Sequence, residues 1–192
     1  MDPITMASLG KAGAAAAIAM AAVGSAIGTG SAGLAAIGAW KKCYLHEKSA
    51  PFLLFIFIGA PLSQTIYGMI LMNFIARICD VAAYLPAEVI ATAREAAATS
   101  GQAWLSHVPA AELDTAREAL AVGVAHWPAM LVAGLLGGIA MAFSAMWQGR
   151  AGAAGADAMA ETGQGFGNYL MTIGIVETVA LFVLVFIQAA LT

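Results

Sequence analysis

Four long apolar runs divide this chain, and its polar residues gather between the runs instead of alternating within them. The runs cover about 9–40, 51–76, 128–156 and 168–191. Each exceeds the ~20 residues that a helix needs to cross a hydrocarbon core, so the pattern predicts four transmembrane helices. The excess length predicts that some of them project beyond the lipid on one side.

The runs are of two kinds. The first and third are built of Gly, Ala and Ser, with Gly24, Gly28, Ala32 and Ala36 forming one ridge at i+4 spacing and Gly134, Gly138 and Ala142 another. Ridges of small residues let helix backbones approach closely, where dispersion and weak C–H···O contacts hold them. The second and fourth are bulky, with Phe52-Leu53-Leu54-Phe55-Ile56-Phe57 and Leu181-Phe182-Val183-Leu184-Val185-Phe186, as lipid-facing helices are. The order small-large-small-large predicts an all-α membrane protein of two helical hairpins: residues 1–78, then a connector at 79–127, then a second hairpin at 128–192.

Composition makes lipid the solvent. Hydrophobic residues are 61% of the chain and charged residues only 10%, against about 25% charged in soluble domains. A net charge of -3 gives no reason to expect a nucleic-acid partner. The Ala-rich start imitates a signal peptide, but its small-residue run reaches Ala39, beyond the ~7–15 residues of a secretory core, and predicts a retained first helix. Cys43 and Cys79 fall near opposite ends of the second span and cannot pair within one protomer, since a disulfide holds Cα atoms within about 7 Å.

Charge also orients the hairpins. Lys41, Lys42 and Lys48 occupy the first turn, and Arg150 falls near the end of the third run, so the positive-inside rule puts both hairpin turns in the cytoplasm. The connector is net acidic and fits the outer side together with both termini. Pro86 and Pro109 each mark the start of a short surface helix. Thr-Ala-Arg-Glu-Ala recurs at 92–96 and 115–119, a repeat too short to carry chemistry.

A few polar residues lie at depth. Glu177 sits about ten residues into the fourth run, roughly 15 Å along a helix. A charge at the bilayer centre costs at least ~2.5 kcal/mol, which makes Glu177 the leading functional candidate. Gln148 and Glu177 bracket the polar turn around Thr162–Gly163 symmetrically, and this predicts equal depth on facing helices. Thr29 and Gln64 bracket the first turn in the same way. Pro61 removes a helical N–H and frees the carbonyl of Phe57; Ser63 and Gln64 follow immediately, with Tyr67 one turn on from both. One carboxylate, two amides, a hydroxyl and loosened backbone form an all-oxygen set suited to a hard monovalent cation, with sodium favoured over a proton. Simple interhelical hydrogen bonding of the two glutamines would not require them at the carboxylate's level.

At these residues the chain resembles the proteolipid rotor subunit of V-type ATPases, the four-helix c or K subunit of sodium-type rings. The resemblance rests on Ile175-Val176-Glu177-Thr178, on Pro61-Leu62-Ser63-Gln64-Thr65-Ile66-Tyr67-Gly68 and on Gln148-Gly149-Arg150, and it covers both hairpins but not the connector. It implies assembly of identical subunits into a ring, with small-residue helices inside and bulky ones against lipid. Glu177 would bind Na+ (or H+), with Gln64, Gln148 and Ser63 as further ligands and Ala60 offering its carbonyl. Tyr67 would bond the carboxylate, with Pro61 and Thr178 in support. Ser63 stands where such rings carry threonine, and Ala60 replaces a larger residue. Rotation past a stator membrane subunit that supplies an arginine, and attachment to central-stalk subunits, are further implications. The chain has no Gly-rich phosphate loop with its lysine, so ATP would be handled elsewhere, by a complex in which this chain is non-catalytic. Two other classes remain open on the residues alone: a small stand-alone proton-coupled transporter and a structural tetraspan protein.

Overall fold

The computed structural model describes residues 3–191. Among these, seven α-helices follow in order: α1 (Pro3–Leu45), α2 (Leu54–Gly59), α3 (Ser63–Ile78), α4 (Ala87–Ser100), α5 (Ala110–Val124), α6 (Trp127–Thr162) and α7 (Phe166–Leu191). Four of the described stretches are long and apolar enough to cross a membrane: residues 5–45, 54–78, 127–162 and 166–191. The architecture is all-helical, with α1 and α2–α3 as one hairpin and α6 and α7 as the other. With 43 residues, α1 is about 64 Å long, roughly twice a ~30 Å hydrocarbon core.

The centre of the bundle is α1 against α6, running parallel and almost without side chains between them. A Cβ added at Gly24 would strike the backbone of Ala142, one at Gly134 the backbone of Gly13, and one at Gly149 the backbone of Gly28. Gly24, Gly28, Ala32 and Ala36 are all buried along this seam, which continues to Ala7 at the other end. The bulky helices pack outside it and leave large apolar side chains exposed, among them Phe52, Phe55, Ile66, Val179, Phe182 and Phe186. The inner helices are not wholly enclosed either. Leu34 and Ile37 on α1, and Leu136 and Phe143 on α6, form exposed apolar stripes on the faces opposite the seam.

The second span is broken where Pro61 sits. α2 ends at Gly59, a 3₁₀ turn covers Ala60–Leu62, and α3 resumes at Ser63. Proline has no N–H to give the Phe57 carbonyl, and the tighter turn absorbs the lost bond. Phe57 O faces α6 at Gly152, where an added Cβ would lie 3.0 Å from it. The α6–α7 turn relies on Gly163 and Gly165, with φ of 67° and 85°, a region that glycine enters without steric penalty.

The connector folds as two helices, each beginning directly after its proline, Pro86 or Pro109. Leu85, Ala93, Val108, Ala116 and Leu120 join Ala7, Cys79 and Met130 in one buried cluster, so this segment caps one end of the bundle. Lys11 reaches Asp80 at 3.1 Å across that end. Cys43 and Cys79 are free, buried in separate clusters.

Two expectations need correction. Arg150 does not mark the end of the third span, because α6 continues twelve residues beyond it to Thr162, on Gly- and Ala-rich turns that hydropathy cut short. Its guanidinium instead stacks 4.7 Å from the ring of Trp147, on an exposed face. Nor does Thr29 stand level with Gln64. Gly28 meets Pro61, and Gly68 meets Ala21, which sets Ser25 opposite Gln64. The first turn is asymmetric, with irregular residues between Leu45 and Leu54, and the residue of α1 that faces Gln64 shifts by about one helical turn.

Candidate functional site

Glu177 lies eleven residues past the start of the 26-residue α7, about 16 Å along a helix about 39 Å long. It is partly buried, on the face that meets α6 and α3. Gln148, fully buried on α6, donates Nε2–H to Glu177 Oε2 at 3.4 Å and to the Ile173 carbonyl at the same distance. The Tyr67 hydroxyl on α3 donates to Glu177 Oε1 at 2.8 Å. Each oxygen of the carboxylate therefore has a donor, one from each hairpin. Hydrogen bonds to an ionised acceptor are the stronger kind, and low polarity around them strengthens them further.

A second knot lies one turn away on the broken span. Ser63 Oγ donates to the Ala60 carbonyl at 3.0 Å and lies 3.3 Å from Gln64 Oε1. Ala60 O, Ser63 Oγ and Gln64 Oε1 thus form a compact group of oxygens. Pro61 positions it: the ring is buried against Gly28, and the 3₁₀ turn that it imposes brings Ala60 O within reach of the Ser63 side chain. Tyr67 follows Ser63 by four residues, so the helical repeat aligns this knot with the donor on Glu177.

Thr178 stands apart from both groups. It is exposed, and its hydroxyl donates to Ile175 O within α7 at 2.7 Å. Two features were not anticipated from sequence. Ser144 Oγ donates to Val176 O at 2.9 Å, tying α6 to α7 beside Glu177. Ser25, fully buried on α1, lies at the level of Gln64. The only sequence signal for Ser25 was a hydroxyl beside the small-residue ridge.

Outside the site, α6 and α7 border an apolar groove of about 790 Å³. Phe143, Trp147, Arg150, Ile175, Val176 and Val179 line it, so it runs along the same stretch of α7 that carries Glu177.

Chemically, the arrangement can hold a carboxylate at mid-span depth in a fixed orientation and present oxygens beside it. A single positive charge would neutralise the cluster. In a comparison with protein-family models, residues 131–187 match the family of the ATP synthase C subunit. The matched stretch takes in nearly all of α6 and most of α7, including Gln148 and Glu177, and leaves the first hairpin and the connector outside. The likeness is confined to this second hairpin, which carries two of the four stretches long and apolar enough to cross a membrane. Comparison with curated proteins found no match.

Proposed function

We propose that the chain is the ion-carrying subunit of a V-type rotor ring, moving Na+ (or H+) across the membrane as identical copies rotate together. The observation that carries this is the placement of Glu177, the single carboxylate of α7, with one donor from each hairpin on its two oxygens. The family match to the second hairpin supports it independently.

In this reading Glu177 binds the ion with Gln64, Gln148, Ser63 and the Ala60 carbonyl. Sodium is favoured because the group around Ser63 offers oxygens, the ligands that hard cations take. As it stands, Gln148 presents an N–H to the carboxylate. Binding sodium requires that its amide turn the carbonyl inward, whereas a proton needs no such turn. The loaded, neutral site crosses lipid without the penalty of a buried charge. An arginine on a stator membrane subunit would reopen it, and central-stalk subunits would couple rotation to nucleotide chemistry elsewhere. The first hairpin carries Gln64 near the level at which the second carries Glu177, so each four-helix protomer moves one ion. The groove along Phe143, Trp147 and Val179 seats the next copy of the ring. Both hairpin turns face the cytoplasm, and the connector faces outward.

The test is carbodiimide labelling of Glu177 in the detergent-solubilised assembly. Labelling that sodium suppresses at fixed pH supports a sodium site; labelling that responds to pH alone supports a proton site. Glu177→Gln should abolish transport and labelling while leaving the assembly's mass unchanged. A particle with the mass of a monomer or dimer would sink the rotor reading and restore a stand-alone transporter.

A further inference from the structure

Four hydrogen-bonding atoms in the middle of the bundle have no partner among the described residues: Ser25 Oγ, Thr29 Oγ1, Gln64 Nε2 and Gln148 Oε1. Ser25, Gln64 and Gln148 are completely buried. Buried polar atoms in proteins are almost always paired, and a run of exceptions at one place marks something bound there.

All four fall within about one helical turn of Gly28 or of the residues packed on it, with Ser25 opposite Gln64 and Thr29 one turn beyond. Ser25 precedes Gly28 by three residues on α1, and Thr29 follows it by one. The Pro61 ring packs on Gly28, with its Cβ 2.9 Å from where a side chain at Gly28 would begin, and Gln64 is one turn further along α3. Gly149 packs on the Gly28 backbone from α6, and Gln148 is its neighbour. Three helices thus contribute hydroxyls that donate and accept, an amide that only donates, and a carbonyl that only accepts. The inventory is complementary, yet these groups do not bond one another. Water both donates and accepts, and a buried molecule typically makes about three bonds to such otherwise unsatisfied groups.

We propose that Ser25, Thr29, Gln64 and Gln148 form a binding site for internal water between α1, α3 and α6, which makes the first helix a positioning element of the ion site. The consequence for the site, which rests on the ion-carrier reading above, lies in the two amides. Gln64 offers Oε1 to the Ser63 group and Gln148 offers Nε2 to Glu177, so each uses one end on the site and has the other free. Water bonded to the free ends anchors the two side chains and, because it both donates and accepts, still lets the Gln148 amide turn its carbonyl inward for sodium. Ser25 and Thr29 hold that water and so act through the glutamines rather than on the ion itself.

High-resolution imaging of the intact assembly should show solvent density within hydrogen-bonding distance of Ser25 Oγ and the Gln148 amide. In a Ser25→Ala, Thr29→Val double variant the density should disappear. The proton concentration at half-maximal carbodiimide labelling of Glu177, or the sodium concentration that half-suppresses it, should then shift about tenfold. Thr29→Ser, which keeps the hydroxyl, should retain the parent profile. Absence of density in the parent protein overturns the proposal even if the double variant fails to assemble, and an unshifted labelling profile in an assembled double variant overturns the positioning role. If parental Glu177 responds to neither pH nor sodium, the ion-carrier reading fails, and the density alone then decides the water site.

Discussion

The Tyr67 hydroxyl reaches across 2.8 Å to Glu177 Oε1, joining residues 110 positions apart and linking the two hairpins at the carboxylate itself. The same carboxylate is met on its other oxygen by Gln148. Holding a mid-span acid from two sides gives it a defined closed geometry, and from this the first prediction follows.

Tyr67→Phe removes one donor and keeps the ring, so packing is preserved. A hydrogen bond to a charged group is worth about 1.5–3 kcal/mol, so Glu177 should spend at least about tenfold more time open to reagent. Carbodiimide should label the variant correspondingly faster, with the assembly intact. Equal labelling rates in the two proteins would show that the bond does not hold the site closed.

The α1–α6 seam predicts a sharp contrast among glycines. Gly149→Ala and Gly134→Ala place a methyl group against backbone atoms of the facing helix, which cannot move aside as a side chain can. Overpacking of this kind costs about 1–3 kcal/mol, and more against backbone. Gly167→Ala, on the outer helix with nothing within 4 Å, should be neutral or slightly stabilising. Thermal unfolding in detergent distinguishes the three, and equal midpoints would contradict the close approach.

Cys79, at the end of α3, is buried with its sulfur 3.1 Å from that of Met130. Burial pushes its thiol pKa up, partly opposed by Lys11. Because the thiolate is the nucleophile, alkylation of the native protein should lag behind a free thiol at mildly alkaline pH. It should accelerate only as pH rises above the ordinary thiol range. Denaturation should restore full reactivity; rapid labelling of the folded protein would contradict this packing.

Orientation is tested by single cysteines at exposed positions in a background where Cys43 and Cys79 are replaced. Lys48→Cys, in the first turn, should react with a membrane-impermeant maleimide only from the cytoplasmic side. Gln102→Cys, in the connector, should react only from outside. The reverse pattern would invert the topology drawn from the lysines.

The sequence by itself determined the four spans, their pairing into hairpins and the leading candidate acid. These are consequences of hydropathy and composition, which act residue by residue and need no knowledge of neighbours. It also fixed the level of Gln148 with Glu177, because the α6–α7 turn is short and two straight helices must then run in register. Only the tertiary structure decided the first hairpin's register, where irregular residues follow Leu45 and Ser25 rather than Thr29 stands opposite Gln64. Only it showed that Arg150 stands well inside α6 and stacks on Trp147, since hydropathy cannot tell a helix that continues through Gly and Ala from one that ends. The water-facing role assigned to Ser25 and Thr29 was equally invisible. A hydroxyl beside a small-residue ridge looks like filler until three helices close around it and leave its oxygen without a partner.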